Sequence, residues 1–167
     1  MRFCSEVIDD PTAGAHEKAL AYAYRALVLV MRDNADRDGR ALADITKATQ
    51  IDGSVAEAYF ARAEVYGNTG RYDASIADVD RAVALNLPAL FHPKAFYLRG
   101  LGYSMLGFIR HDKRESQLAV DDFGEAIRLN PTDADSFHAR SGAEDYLGQN
   151  AAAQADQATA DRLDRKQ

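Results

Sequence analysis

Apolar residues recur along the chain with helical spacing, in paired blocks. In one block Tyr59, Ala63 and Tyr66 lie at i, i+4 and i+7, which places them on one face of a helix. The stretch GNTG interrupts this stripe, a second helical stripe covers residues 72–83, and Pro88 ends it. The block therefore predicts two helices joined by a short turn.

The same block returns along the chain. Each copy opens with an aromatic residue, followed three residues later by an arginine and a small residue: Tyr22, Arg25–Ala26; Tyr59, Arg62–Ala63; Phe96, Arg99–Gly100; and Phe137, Arg140–Ser141. In the second stripes, Ala48 and Ala82 are 34 residues apart, and so are Ala126 and Ala160. A fixed period of this length is typical of helical repeat proteins, so we predict four repeats.

This pattern resembles the tetratricopeptide repeat (TPR), in which an aromatic, a large–small pair, glycine and small residues stand at fixed offsets. The resemblance implies an all-α fold, an α-solenoid of antiparallel helix pairs that forms a right-handed superhelix. We expect a single domain over residues 1–167. Its predicted parts are an N-terminal helical segment at 3–10, a degenerate repeat at 19–53, repeats at 56–89 and 93–131, and a fourth repeat with a C-terminal capping helix at 134–165.

The third repeat is longer than the others. Ala82 and Ala126 are 44 residues apart, ten more than the repeat length. We assign three of these residues to the LPALFHPK stretch and seven to FIRHDKRE, which predicts an enlarged turn at 108–115. A smaller surplus in the first repeat falls on DNADR at 33–37.

The recurring arginine occupies a position beside the packing stripe where the family usually has an apolar residue. A partly desolvated guanidinium needs a partner. The second helix of each repeat supplies an aspartate just before its bulky packing residue, which predicts structural ion pairs Arg25–Asp44, Arg62–Asp78, Arg99–Asp122 and Arg140–Asp156. The alternative is that these are surface residues that share ancestry through duplication.

Charge and composition narrow the choice of partner and compartment. The formal net charge of −6 argues against nucleic acid as the main partner. Cys4 is the only cysteine, so the chain has no intrachain disulfide and no multi-cysteine zinc site. The longest apolar run, ALVLVM, is too short to cross a bilayer, so we expect no membrane insertion. With no targeting segment in the chain, we expect a soluble protein, either cytoplasmic or periplasmic and exported.

The residues that carry catalytic chemistry in other proteins are scattered here. The four histidines, His16, His92, His111 and His138, show no metal-ligand spacing, and no serine lies in a nucleophile elbow. We therefore predict a protein that is not an enzyme, with no metal and no cofactor. The alternative is a catalytic or regulatory site at His111–Arg114 in the predicted turn.

In the TPR family, the first helices of successive repeats line a concave groove. The resemblance implies that the groove residues here are Phe60, Glu64, Asn68, Lys94, Tyr97, Leu101, Met105, His138 and Tyr146. Phe60 and Tyr97 directly follow the packing aromatics Tyr59 and Phe96, so we expect them to be the exposed anchors. The alternative is that these rings pack between repeats.

The predicted function is a non-catalytic scaffold or adaptor that binds a peptide or partner protein in this groove. The lining is apolar and aromatic, with more acidic than basic residues. It therefore favours a peptide with apolar anchors and some basic character. The alternative function is self-assembly into a homo-oligomer through the terminal helices.

Overall fold

The structure is a computed structural model that describes residues 2–31 and 37–165. Regular secondary structure in these two ranges is helical, without a strand. The chain divides into two compact units, Met1–Leu87 and Pro88–Gln167. The division into one N-terminal segment and four repeats within a single domain stays a prediction.

Each unit is built from helices joined by short turns. The first unit contains α1 (Arg2–Asp9), α2 (Ala15–Val30), α3 (Arg37–Ile51), α4 (Ala56–Asn68) and α5 (Tyr72–Ala84). The second contains a 3-10 turn (Ala89–Phe91), α6 (His92–Arg110), α7 (Lys113–Leu129), α8 (Ala134–Leu147) and α9 (Asn150–Asp164). The pairs α2–α3, α4–α5, α6–α7 and α8–α9 each pack as a helical hairpin.

Small residues let the helices of the first unit approach closely. A core cluster joins Ala19 and Ala23 of α2 to Ala48 of α3, and Val55 and Ala58 at the start of α4 complete it. Alanine keeps the backbones close without any cost in side-chain entropy. In consequence α4 packs against α2 and α3 as well as against its own partner α5.

The core of the second unit combines small residues with one large ring. Phe123 of α7 is fully buried and clusters with Ala119 and Ala143. Gly100 of α6 accommodates this ring, because a Cβ at that position would lie 2.8 Å from Phe123 Cε1. At the next turn Asp133 caps α8 by accepting a hydrogen bond of 3.2 Å from the backbone N–H of Ser136.

The structure corrects the enlarged turn predicted at 108–115. Helix α6 continues to Arg110 and α7 begins at Lys113, so the turn consists of His111 and Asp112 alone. His111 adopts a left-handed conformation with φ 56°, and Asp112 caps α7 by accepting a 2.9 Å hydrogen bond from the Arg114 N–H. The additional residues therefore lengthen the two helices. The smaller surplus at 33–37 falls mainly on 32–36, which lie outside the described residues.

Candidate functional site

Each recurring arginine contacts the predicted aspartate through two hydrogen bonds. The Nε–Oδ2 and Nη2–Oδ1 distances are 2.7 and 2.7 Å for Arg25–Asp44, 2.6 and 2.7 Å for Arg62–Asp78, 2.8 and 2.7 Å for Arg99–Asp122, and 2.5 and 2.9 Å for Arg140–Asp156. All four aspartates are buried. Each pair therefore connects the first helix of a hairpin to its second helix in the two-point geometry that guanidinium and carboxylate favour.

The same arginines also lie over aromatic rings, which the sequence analysis did not predict. The guanidinium carbon lies 5.3 Å from the Tyr22 ring centre for Arg25, 5.3 Å from Tyr59 for Arg62, 5.4 Å from Phe96 for Arg99 and 5.9 Å from Phe137 for Arg140. These distances are in the range of a cation–π contact. The signal was the constant spacing of three residues between the aromatic and the arginine, which places both on one face of the helix.

In the first unit the structure corrects one predicted anchor. Phe60 is only 2% exposed, so its ring is not available to a partner. Phe60 is buried because α4 packs against α2, α3 and α5. Neighbouring helices therefore contact both of the helix faces that carry Tyr59 and Phe60. Glu64 is half-buried and Asn68 is exposed.

In the second unit Tyr97 is half-buried rather than fully exposed. Its ring lies 5.9 Å from the Phe123 ring, and Lys94 Nζ lies 4.7 Å from the Tyr97 ring centre. Burial raises the pKa of Tyr97, and the nearby carboxylates of Asp135 and Asp133 raise it further. This end of α6 therefore places an aromatic ring beside one lysine and near two carboxylates.

Apolar side chains continue along α6 from this point and become more exposed toward its C-terminus. Leu101 packs against the Phe123 cluster, Met105 is 39% exposed, Phe108 is 60% exposed and Ile109 is 57% exposed. These four residues are named here the α6 stripe. Phe108 and Ile109 were missed by the sequence analysis, which placed them in a turn. Their spacing of three and four residues from Met105 was the signal that the helix continues.

The two predicted groove residues on α8 lie in different surroundings. Tyr146 is next to the α6 stripe, with its ring 5.8 Å from the Phe108 ring. His138 contacts α9 instead, since Nε2 lies 3.0 Å from Asp164 Oδ2 and Nδ1 lies 3.4 Å from Gln157 Oε1. The hydrogen bond to Asp164 raises the pKa of His138. The structure therefore brings Tyr146, but not the imidazole of His138, to the α6 stripe.

Across residues 2–31 and 37–165, no three His, Cys, Asp or Glu side chains group in a way that could hold a metal ion. None of the helices in these ranges is long and apolar enough to cross a membrane.

Comparison with known families identifies the repeat. Residues 56–87, which span α4 and α5, match the family model described as tetratricopeptide repeat. Residues 56–87 therefore form a tetratricopeptide repeat. None of the curated protein sequences that were compared with this chain matches it.

Solved structures of other proteins share the fold of this chain. A crystal structure of MamA is similar with a TM-score of 0.71 and 20% identity, over 99% of this chain and 86% of that chain. A MamA RS-1 double mutant has a TM-score of 0.71 and 16% identity, over 99% of this chain and 83% of that chain. YrrB, a TPR protein with an unusual peptide-binding site, has a TM-score of 0.50 and 18% identity, over 96% of this chain and 91% of that chain. The predicted fold class, an all-α helical-repeat solenoid, is confirmed.

Proposed function

We propose that this TPR protein is a non-catalytic scaffold that binds a segment of a partner protein on the α6 stripe and the adjoining Tyr146. The observation that carries the proposal is the exposure of Met105, Phe108 and Ile109, which lie on consecutive turns of one helix. A contiguous apolar surface that faces water usually marks an interaction site.

The surroundings of the stripe favour a particular partner chemistry. At the N-terminal end of α6, Asp133 and Asp135 lie close enough to Tyr97 to raise its pKa. At the other end, Arg110 pairs with Glu115 and Arg114 pairs with Asp112, so these two arginines already have carboxylate partners. We therefore propose a segment with apolar anchors for the stripe and a basic residue toward Tyr97. The peptide-binding site of YrrB supports the use of this fold for peptide recognition.

The test selects peptides from a random library displayed on phage and measures their affinity for the purified chain. Replacing Met105 and Ile109 with Ser should weaken binding of the selected peptides by about tenfold or more, because binding energy concentrates in a few apolar anchors. The control is Met31→Ser, which removes a side chain that is 84% exposed in the first unit, away from the stripe. Equal affinity for the double variant and the control would contradict the proposal, provided that circular dichroism shows both to be folded.

A second candidate function is self-assembly through the terminal helices. The observation that favours it is Phe3 on α1, whose side chain is 76% exposed. Multi-angle light scattering over a wide concentration range tests this function. A mass that rises with concentration, and falls again in Phe3→Ser, is expected if the chain self-assembles. A monomer at every concentration would exclude self-assembly.

A further inference from the structure

The first unit contains an apolar groove between α1 and α2. Its volume is about 490 Å³, and its walls include Phe3, Cys4 and Val7 of α1 and Leu20, Ala21 and Tyr24 of α2. This groove lies in a different unit from the α6 stripe, so it is independent of the peptide-binding function proposed for that stripe.

The offset between repeats shows which residues of α4 correspond to the groove wall on α2, and which helix packs against them. Tyr22 of α2 and Tyr59 of α4 are equivalent positions 37 residues apart. By this offset, Leu20 and Ala21 correspond to Glu57 and Ala58. Both of those α4 residues contact α2, because Ala58 clusters with Ala19 and Ala23, and Glu57 accepts a 3.1 Å hydrogen bond from Tyr24. On α4, therefore, this surface is covered by the first helix of the preceding hairpin.

The second unit repeats the arrangement. Phe137 of α8 is equivalent to Tyr22, and Ala139 accordingly corresponds to Tyr24. Ala139 packs in the same cluster as Tyr97 and Leu101 of α6. On α8, too, the preceding hairpin covers this surface, with Ala119 and Phe123 of α7 in the same cluster. On α2 the equivalent surface is bordered by α1 and forms the wall of an open groove.

We propose that this groove binds a basic amphipathic helix of a partner protein. The partner helix would pack against α1 and α2 in the way that α2 packs against α3 and α4. The packing of α2 against α4 indicates the apolar face that such a helix needs, because α2 presents the small residues Ala19 and Ala23 at i and i+4. Asp10 and Glu17 also line the groove, and acidic side chains there favour a helix with basic flanks.

The probe is a synthetic peptide with the sequence of residues 14–31, extended by two lysines and labelled for fluorescence anisotropy. Saturable binding to the full chain is expected, and a matched peptide extended by two glutamates should bind about tenfold more weakly or worse.

Cys4 lines the groove and is the only cysteine, so its alkylation rate reports occupancy of the groove in the unaltered chain. The lysine peptide should slow alkylation several-fold at saturation. Binding without protection of Cys4 would overturn the proposed location.

The variant test compares two exposed apolar residues in the first unit. Phe3→Ser removes a wall of the groove and should weaken binding of the lysine peptide by about tenfold. Met31→Ser is the control, because Met31 is 84% exposed but does not line the groove. Equal binding by both variants, or no saturable binding by the native chain, would overturn the proposal. Concentration-dependent self-association that Phe3→Ser abolishes, without peptide binding, would assign the groove to a second copy instead.

Failure of this proposal and failure of the proposed function are distinguishable. The Met105→Ser, Ile109→Ser variant should bind the lysine peptide with unchanged affinity. Loss of peptide binding in that variant would overturn the independence of the two surfaces.

Discussion

Arg62 and Asp78 form a two-point contact that connects α4 to α5, with Nε–Oδ2 and Nη2–Oδ1 distances of 2.6 and 2.7 Å. The Asp78 side chain is 9% exposed and the Arg62 side chain is 30% exposed, so the pair is largely shielded from water. The Tyr59 ring lies under the guanidinium of Arg62 and adds a second contact to the same group. The arginine thus has both an ionic and an aromatic partner within its hairpin.

We predict that this pair stabilises the hairpin. A double-mutant cycle with Arg62→Ala and Asp78→Ala should give a coupling energy of about 1–3 kcal/mol, measured from urea unfolding. The control is Arg128–Glu125, whose side chains are 64% and 39% exposed. Its coupling should be below about 0.5 kcal/mol, since exposed pairs contribute little. Similar coupling in the two cycles would show that shielding does not strengthen the Arg62 pair.

Close helix approach predicts opposite effects for two glycines. A Cβ at Gly107 would lie 2.8 Å from the backbone nitrogen of Ser116, whereas a Cβ at Gly142 meets nothing within 4 Å. Gly107→Ala should therefore destabilise the protein by about 1–3 kcal/mol because it forces α6 and α7 apart. Gly142→Ala should be neutral or stabilise it by up to about 1 kcal/mol, because alanine restricts the unfolded chain. Thermal unfolding of the two variants measures this contrast, and equal stability would contradict it.

The sequence predicted the helical hairpins well because the repeat fixes several positions at once. The small residues Ala48, Ala82 and Ala126 and the recurring Arg and Asp positions were sufficient to place helices without knowledge of their contacts. The candidate site was harder to predict. Residues between two helices can form a loop or extend the helices, and the outcome depends on where the helix ends are capped. Here His111 ends α6 and Asp112 caps the start of α7.

The exposure of individual side chains was harder still to predict from the sequence. Phe60 and Tyr97 occupy equivalent positions in the repeat, 37 residues apart, yet the first is buried and the second is half-buried. The difference arises from the neighbouring helices of each unit, which helical periodicity does not specify. Periodicity identifies the face of a helix on which a residue lies but not what packs against that face.

Glu144 predicts a dependence of stability on pH. It is 6% exposed, and its Oε2 has no hydrogen-bond partner among the described residues. Burial and then Asp156 raise its pKa above the ordinary 4.5. A carboxyl group with a raised pKa stabilises the folded state at low pH, and this contribution is lost as the pH rises from the ordinary value through the raised one.

Glu144→Gln should accordingly raise the stability at about pH 7 by about 1 kcal/mol or more, because the neutral amide avoids a buried charge. The gain should shrink at about pH 4, where the native carboxyl is largely protonated. Asp145→Asn is the matched control, since Asp145 is exposed on the same helix. Melting temperatures at the two pH values measure the effect, and a gain that is the same at both would count against a buried charge as its source.

His138 predicts a dependence of stability on pH of the same sign, but from a favourable ion pair instead of a buried charge. Its hydrogen bond to Asp164 raises its pKa above the ordinary 6.5, so the imidazolium form contributes stability at low pH that is lost as the pH rises through the raised pKa. His138→Ala should lower the melting temperature more at about pH 5.5 than at about pH 8. Asp164→Asn should cause the same loss, and combining the two should add nothing further. An equal decrease at both pH values would indicate a role in packing instead.

The Arg–Asp contacts also bear on how the chain folds. They join residues 19, 16, 23 and 16 positions apart in the sequence, so each closes a short loop within one hairpin. Closing short loops costs little chain entropy, and repeat proteins can nucleate wherever one unit forms. Each hairpin can therefore form its ionic and aromatic contacts soon after it leaves the ribosome, before the next hairpin has been synthesised.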